Sequence, residues 1–323
     1  MVNRKSEVNR QRRVSLKSGK KIMKEIKHSY SFTSTAAYFF IAPALMAIFI
    51  FFFIPVIAAF VISFTDFDIY ALGNFNTVRF VGIKNYIRLF EDPLFWLSLK
   101  NTSYYVLLAT PLSIAVSLGA ALLLNSKLLK YKSIFRLSYF MPYVTTLVAV
   151  AIVWRFIYHP KFGIFNYFLG LVGINPIDWL GDPNWAMPAI VIMSVWKSFG
   201  YSMIIFIAGL QNIPEDLYEA ASLEGANEWQ KFKSVTLPLL APTTLFISII
   251  TIVGYFQLFA EPYIMTQGGP LNSTLSIVQY MYQEGFGWWN MGYSASIAFV
   301  LFFIILIVTV IQFRLQKNSL VMK

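Results

Sequence analysis

Residues 211–238 read QNIPEDLYEAASLEGANEWQKFKSVTLP, a polar stretch between two long apolar runs. Its chemistry predicts two short helices separated by a turn. Pro214 suits the first turn of a helix, and the acidic residues that follow it suit the positive N-terminal end. Gly225 can adopt the left-handed backbone conformation that ends a helix. Asn227 can cap the second helix, with Gln230 as its reciprocal partner.

The two predicted helices offer surfaces on which another protein could dock. Small Ala220 and Ala221 allow the first helix to approach a neighbour closely, and Trp229 and Phe232 give the second helix an apolar face. Pro238 is predicted to stop the second helix. One interpretation is a knob that fills a groove on a partner, and the other is an ordinary loop that packs on its own helices. Local chemistry leaves both open.

The apolar runs on either side of this loop belong to a set of six. The chain has 323 residues, of which 57% are hydrophobic and 13% charged, whereas soluble domains carry about 25% charged residues. A membrane-spanning helix needs about 20 mostly apolar residues. We therefore predict an all-α membrane protein with six transmembrane helices rather than a soluble or disordered chain. The predicted spans cover residues 38–64, 103–124, 137–158, 187–210, 242–264 and 293–313.

Positive charge is distributed unevenly among the segments that join these spans. Of the 26 Lys and Arg residues, 19 fall before the first span, in the second-to-third and fourth-to-fifth connections, or after the last span, and five fall on the opposite side. Because cytoplasmic segments are enriched in Lys and Arg, both termini are predicted to be cytoplasmic. The loop at 211–238 is then the only cytoplasmic connection with more acidic than basic residues.

The N-terminal tail, residues 1–31, is predicted to be a basic cytoplasmic segment that precedes a transmembrane domain at residues 32–323. Anionic lipid headgroups are its favoured partner over RNA, so no nucleic acid is expected to bind. The chain holds no Cys, and its two histidines, His28 and His159, fall on opposite sides of the predicted topology. No metal site or catalytic residue is therefore expected. Gly19-Lys20 lacks both the upstream Gly and the following Ser or Thr of a nucleotide phosphate loop, so the chain is not predicted to be an enzyme.

The loop also carries a motif with defined spacing. Residues EAA at 219–221 are followed by three residues, Gly225, nine residues and VTLP at 235–238. This order resembles the coupling-loop motif of the membrane (permease) subunits of bacterial binding-protein-dependent ABC importers, with Val in place of the usual Ile. From about residue 32 onward the chain resembles the carbohydrate-uptake branch of these permeases, including GGP at 268–270.

The resemblance implies the type I ABC importer permease fold, with the loop coupling this chain to an ATPase. It assigns the coupling role to Glu219, Ala220, Ala221, Gly225, Leu237 and Pro238. It implies as partners a second homologous permease subunit, two ABC ATPase subunits, an external sugar-binding protein, membrane lipids and a saccharide substrate. The chain itself then needs no cofactor, because ATP and Mg²⁺ bind to the ATPases, and it is predicted to lie in the bacterial cytoplasmic (inner) membrane.

The resemblance further implies that the spans flanking the loop contact the sugar. Aromatic faces and hydrogen-bonding side chains suit sugar rings and their hydroxyl groups. The candidates in these stretches are Trp196, Tyr201, Tyr255 and Gln257. For each of them, a packing or anchoring role is the alternative.

Two cations fall inside predicted spans, where isolated charges are costly and usually functional. Lys197 lies near the middle of the fourth span and Arg155 near the outer end of the third. We expect both to line the substrate pathway, with an acidic saccharide as the hypothesis for the cargo. The alternative for Lys197 is a structural ion pair with Glu261 or across the permease interface.

Two other classes of membrane protein compete with an importer subunit. A secondary transporter driven by an ion gradient would carry acidic residues deep in its spans, and only Glu261, at the edge of the fifth predicted span, comes close. A channel subunit would account for six spans but not for the acidic loop. The loop therefore favours the importer.

Overall fold

The computed structural model describes residues 38–74, 78–126 and 129–321. The predicted basic tail at 1–31 and the predicted start of the transmembrane domain at residue 32 lie outside these residues. The chain divides into two compact units, residues 1–61 and 62–323, and each is described by itself.

The described residues are almost entirely helical, with one isolated antiparallel bridge between Thr65 and Phe80 as their only β pairing. The helices are α1 (Tyr38–Ile62), α2 (Lys84–Glu91), α3 (Pro93–Asn125), α4 (Lys132–Val144), α5 (Leu147–Ile157), α6 (Ile164–Leu171), α7 (Pro183–Gln211), α8 (Glu215–Leu223), α9 (Glu228–Leu239), α10 (Ala241–Phe256), α11 (Ala260–Met265), α12 (Ile277–Tyr282) and α13 (Met291–Val321).

Four unbroken helices are long and apolar enough to cross a membrane, namely α1, α3, α7 and α13. Two further spans are broken: α4 and α5 meet at a bend of 99°, and α9 and α10 meet at a bend of 64°. The six predicted spans are all accounted for when each bent pair counts as one span. The sequence indicated a helix end beside the second break, at Pro238, but none at the first break, because the predicted apolar run at residues 137–158 continues through it.

The fifth predicted span extended too far at its second end. Helix α10 stops at Phe256, and Gln257 caps it with its N–H bonded to the carbonyl of Gly254 at 3.1 Å. The chain then turns and starts the separate short helix α11, which contains Glu261. The prediction that Glu261 lies at the end of the fifth span was therefore wrong. The second span, by contrast, begins ten residues earlier than predicted, at Pro93.

Wide π-helical turns accompany two of the helix-embedded prolines. The turn Phe49–Phe53 in α1 comes just before Pro55, and the turn Phe232–Thr236 in α9 comes just before Pro238. A proline ring clashes with the carbonyl four residues back in a regular α-helix, and a π turn changes that geometry. The expectation that Pro238 stops the helix was wrong, since α9 accommodates it and ends at Leu239.

Helix α7 is the centre of the second unit and packs against α3, α4, α10 and α11. A Cβ atom at Gly200 would overlap the carbonyl oxygen of Tyr139 in α4. A glycine is therefore required there for α7 to approach α4 closely, and this contact brings the last turn of α4 alongside the middle of α7.

Buried apolar side chains of the second unit form two clusters. The cluster near α8 and α9, called the loop-end cluster, consists of Ala121, Leu124, Met203, Phe206, Ile207, Leu210, Ile213, Leu240 and Ile247. The larger far-end cluster includes Phe95, Tyr105, Trp154, Tyr158, Met193 and Tyr280. The loop therefore packs on the loop-end cluster, which is separate from the far-end cluster.

Candidate functional site

The loop at 211–238 folds into the two predicted helices, α8 and α9. Gly225 has a φ of +83°, and the turn that contains it closes the end of α8. The N–H of Ala226 bonds the carbonyl of Ala221 at 2.9 Å, and the N–H of Gly225 bonds the carbonyl of Ser222 at 3.0 Å. This pair of hydrogen bonds is a Schellman motif, which gives partners to the last carbonyl groups of a helix. The prediction for Gly225 is confirmed.

The start of α9 carries the predicted capping box. The side chain of Asn227 accepts from the N–H of Gln230 at 2.9 Å, and the side chain of Gln230 accepts from the N–H of Asn227 at 2.8 Å. Local hydrogen bonds therefore cap the C-terminal end of α8 and the N-terminal end of α9.

One face of the loop is exposed and carries the motif. Glu219, Ala220 and Gly225 are exposed, Ala221 is half-buried, and Leu237 and Pro238 lie at or close to the surface. Two apolar side chains extend this surface: Leu223 is 91% exposed and Trp229 is 69% exposed. Exposed apolar side chains beside the motif are compatible with the knob interpretation, in which a partner covers them.

The opposite face of α8 rests on the bundle. Tyr218 packs against the loop-end cluster, and its hydroxyl shares a hydrogen bond of 2.9 Å with the hydroxyl of Thr236 in α9. Val235 packs against the same cluster. The loop is thus positioned against α7 and α10 by buried contacts, while Glu219, Ala220 and Gly225 of the motif remain exposed.

Lys197 is half-buried in the middle of α7 and contacts the end of α4. Its Nζ donates to the carbonyl oxygen of Tyr143 at 3.2 Å and lies 5.7 Å from the Tyr143 ring centre. The carbonyls of a last helical turn have no partner within the helix and form its negative end. Lys197 therefore stabilises the break between α4 and α5. Among the described residues, no ion pair joins it to Glu261.

Tyr201 lies one turn after Lys197 and stacks on Tyr143, with ring centres 4.8 Å apart and planes 17° apart. The structure thus brings Lys197 and Tyr201 together around a third residue that the sequence did not identify. Their spacing predicts a shared face of α7, but no local pattern connects that face to Tyr143.

Trp196 lines a cavity of about 700 Å³ beside the broken third span. Its ring contacts Trp154 with centres 5.4 Å apart. The wall is formed by both halves of the break and is almost wholly apolar; its residues are Ser138, Met141, Pro142, Thr145, Ala149, Val150, Val153, Trp154, Ile157, Ile164, Phe165 and Trp196. The cavity could accept the flat apolar face of a ring.

The remaining candidates, Tyr255, Gln257 and Arg155, do not line this cavity. Tyr255 shares a hydrogen bond of 2.8 Å with Ser198, one residue after Lys197, and its ring meets the edge of Tyr105. Gln257 is exposed at the end of α10. Arg155 lines a separate pocket of about 460 Å³ with Ile152, Phe156 and His159. No group of three His, Asp or Glu side chains that could hold a metal occurs among the described residues.

A second polar network, which the sequence did not reveal, joins three segments at the end of the bundle opposite the loop. Asp92 caps α3 by accepting from the N–H of Leu94 at 2.8 Å. Its Oδ2 also accepts from Tyr293 at 2.6 Å and from Tyr280. Burial alone would raise the pKa of Asp92, but the tyrosine and backbone hydrogen bonds lower it below its ordinary value. Arg88 lies 4.3 Å from the ring centre of Tyr293.

Comparisons with known proteins agree with the loop motif. A family model described as "Binding-protein-dependent transport system inner membrane component" matches residues 113–319. The chain is 36% identical over 285 residues to the arabinooligosaccharides transport system permease protein AraP of Bacillus subtilis, with 88% of this chain and 89% of AraP covered. It is 36% identical over 284 residues to the lactose transport system permease protein LacF of Rhizobium radiobacter, with 86% and 93% covered.

A solved structure has a similar fold. A chain of a bacterial ABC transporter involved in the import of the acidic polysaccharide alginate matches with a TM-score of 0.74 and 21% identity, over 92% of this chain and 99% of that one. The two chains therefore share the arrangement of helices.

Proposed function

Because this chain belongs to the family of binding-protein-dependent transport system inner membrane components, we propose that it forms half of the translocation pathway of an ATP-driven saccharide importer. It is an inner-membrane transport subunit of a carbohydrate ABC importer, with the type I permease fold. A second homologous permease completes the pathway, two ABC ATPase subunits supply the energy, and an external binding protein delivers the sugar. The observation that carries this proposal is the exposed motif face of α8.

The mechanism follows from the position of α8 between the fourth and fifth spans. ATP binding closes the ATPase pair and moves the docked α8 with it. Three residues join helix α8 to α7, and α9 joins it to α10. A displacement of α8 therefore tilts the fourth span (α7) and the fifth span (α10). The cavity between the two permeases then opens to the outside, and ATP hydrolysis resets it.

Reconstitution tests the proposed function directly. The chain is co-expressed with a second permease and an ATPase encoded nearby, purified through a tag on this chain, and placed in liposomes with the binding protein. We expect the ATPase to co-purify and a saccharide to accumulate only when ATP is present. Uptake that follows an ion gradient without ATP would identify a secondary transporter instead.

The proposed orientation places both termini and the loop in the cytoplasm, on the basis of the Lys and Arg distribution. Since the chain has no Cys, single cysteines report topology without background. We expect an impermeant maleimide to label Leu271→Cys on intact spheroplasts and Leu223→Cys only after permeabilisation. Both positions are highly exposed, at 87% and 91%. The reverse labelling pattern would overturn the orientation.

We propose an acidic saccharide as the cargo, with Lys197 facing its carboxylate. The ammonium group of Lys197 donates to a carbonyl and forms no close ion pair with an acidic side chain among the described residues, although the carboxyl group of Glu261 lies near enough to interact with it electrostatically. The Tyr143 and Tyr201 rings beside it supply flat apolar faces. The relatives named for arabinooligosaccharides and lactose support a saccharide as the cargo. The proposal that this saccharide is acidic rests on Lys197.

The variant Lys197→Met separates substrate charge from general damage. We expect uptake of an acidic oligosaccharide to fall about tenfold or more, because a hydrogen bond to a charged group contributes about 1.5–3 kcal/mol. Uptake of a neutral oligosaccharide should change much less. The exposed Lys161→Met serves as a matched control. Unchanged handling of the acidic sugar by Lys197→Met would exclude this role.

A further inference from the structure

Helix α8 has one side chain that connects it to the bend in the fifth span. Tyr218 is half-buried on the inner side of the helix, whereas the next two residues, Glu219 and Ala220, are exposed. It packs against the loop-end cluster and shares a hydrogen bond of 2.9 Å with Thr236. Thr236 is only 4% exposed. A hydroxyl group at such a buried site depends on its partner, because water does not readily replace it.

Thr236 occupies a mechanically sensitive position. It is the last residue of the π turn in α9, and its backbone carbonyl accepts from the N–H of Leu240 at 2.9 Å. Leu240 is fully buried in the loop-end cluster and lies at the 64° bend where α9 gives way to α10. A continuous series of contacts therefore runs from Tyr218 through Thr236 to the bend.

The backbone provides a looser connection between the same parts. Between α8 and α9 the chain passes through Gly225, Ala226 and Asn227, where Gly225 has a positive φ and no atom lies within 4 Å of the position a Cβ would occupy. A rotation of the backbone at Gly225 would meet no packed neighbour, although it would break the two hydrogen bonds that close α8. A displacement of α8 large enough to break them would be absorbed there unless a side chain carried it past the turn.

We propose that Tyr218 is a positioning residue that transmits movement of α8 to the bend between α9 and α10. This inference rests on the proposed function, since it assumes that an ATPase moves α8. The contact with the ATPase and the contact that transmits its movement to the bend then lie on different sides of one nine-residue helix. Removing the Tyr218 hydroxyl should weaken the link between ATP hydrolysis and transport while leaving the docking face intact.

The test compares Tyr218→Phe with wild type in the complete transporter, reconstituted in liposomes with the binding protein. The readout is the amount of sugar transported per ATP hydrolysed. We expect this ratio to fall about fivefold or more, the factor that corresponds to a lost hydrogen bond of about 1 kcal/mol, with ATPase co-purification unchanged. The control is Ser222→Ala, which removes an exposed hydroxyl from the same helix and should leave the ratio unchanged.

A double variant distinguishes a specific link from general damage. If the two hydroxyl groups act as a unit, the double variant Tyr218→Phe with Thr236→Val should transport as much sugar per ATP hydrolysed as Tyr218→Phe alone. Additive losses, or a normal ratio in Tyr218→Phe, would overturn the inference. So would loss of the ATPase from purified Tyr218→Phe, because Tyr218 would then be a docking residue. Wild-type liposomes without ATP-dependent uptake would instead refute the proposed function.

Discussion

Glu219→Lys is expected to reduce ATP-driven sugar uptake by about thirtyfold or more while the chain still folds and inserts. Glu219 is exposed on the motif face of α8, so the substitution disturbs no buried contact within the chain. Reversing its charge would place a cation where the proposed ATPase would accommodate a carboxylate, and losing one member of an interfacial charge pair costs about 2–5 kcal/mol. Uptake and ATPase activity of the reconstituted transporter provide the measurement.

The neighbouring acidic residue supplies a matched control for this prediction. Glu224 is also exposed in the loop but lies outside the motif, so Glu224→Lys should have a much smaller effect. Gly225→Pro should produce the same uncoupling by another route, because proline cannot adopt the φ of +83° found there. Normal transport by Glu219→Lys would show that the motif face does not dock the ATPase.

Asp92→Ala is expected to cause the largest loss of stability of any single change considered. The substitution removes a helix cap worth about 1 kcal/mol and two hydrogen bonds to a charged group worth about 1.5–3 kcal/mol each. Both tyrosines are buried; Tyr293 loses its acceptor, whereas Tyr280 keeps a hydrogen bond of 3.0 Å to Glu284. The cap and the Tyr293 bond together predict a loss of roughly 3 kcal/mol or more, which should appear as a lower thermal midpoint of the purified complex.

Asp182→Ala separates the cap from the tyrosine bonds. Asp182 caps α7 in the same way, followed by a proline and accepting from the N–H of Asn184 at 2.8 Å. In the described part of the chain, no tyrosine donates a hydrogen bond to Asp182. We expect Asp182→Ala to show only the effect of the cap, and equal midpoints for the two variants would refute a structural role for the tyrosine bonds.

The same carboxylate predicts a pH dependence with a definite sign. The pKa of Asp92 is lower in the folded protein than its ordinary value. Its contribution to stability is therefore fully present above about pH 4 and is lost as the pH falls through the lowered pKa. The difference in midpoint between wild type and Asp92→Ala should be constant near neutral pH and shrink only in acid.

Local patterns predicted the loop well because its hydrogen bonds are local. The cap at Asn227, the left-handed Gly225 and the acidic first turn of α8 each depend on residues within a few positions of one another. The span count also followed from composition, since apolar length needs no tertiary information. Pro238 was misjudged because its effect depends on whether a π turn precedes it, and no residue pattern in the loop indicated one.

The pathway residues were less predictable because their partners lie on other helices. Lys197 was identified as unusual by its burial in an apolar run, but its carbonyl partner at Tyr143 exists only because the third span breaks there. Asp92 was not identified from the sequence, because Tyr280 and Tyr293, far along the chain, reach it only in the folded bundle. Contacts of this kind depend on the tertiary arrangement rather than on spacing.

Helix α8 is closed at its C-terminal end by backbone bonds within its own turn, and Tyr218 anchors its inner face. Its outer residues can therefore vary without altering how the helix sits on the bundle. Such a segment is interchangeable: grafting the outer face of another importer's loop onto this chain should transfer the choice of ATPase while the sugar pathway stays the same. Diversification of energy supply and of cargo can then proceed independently within one chain.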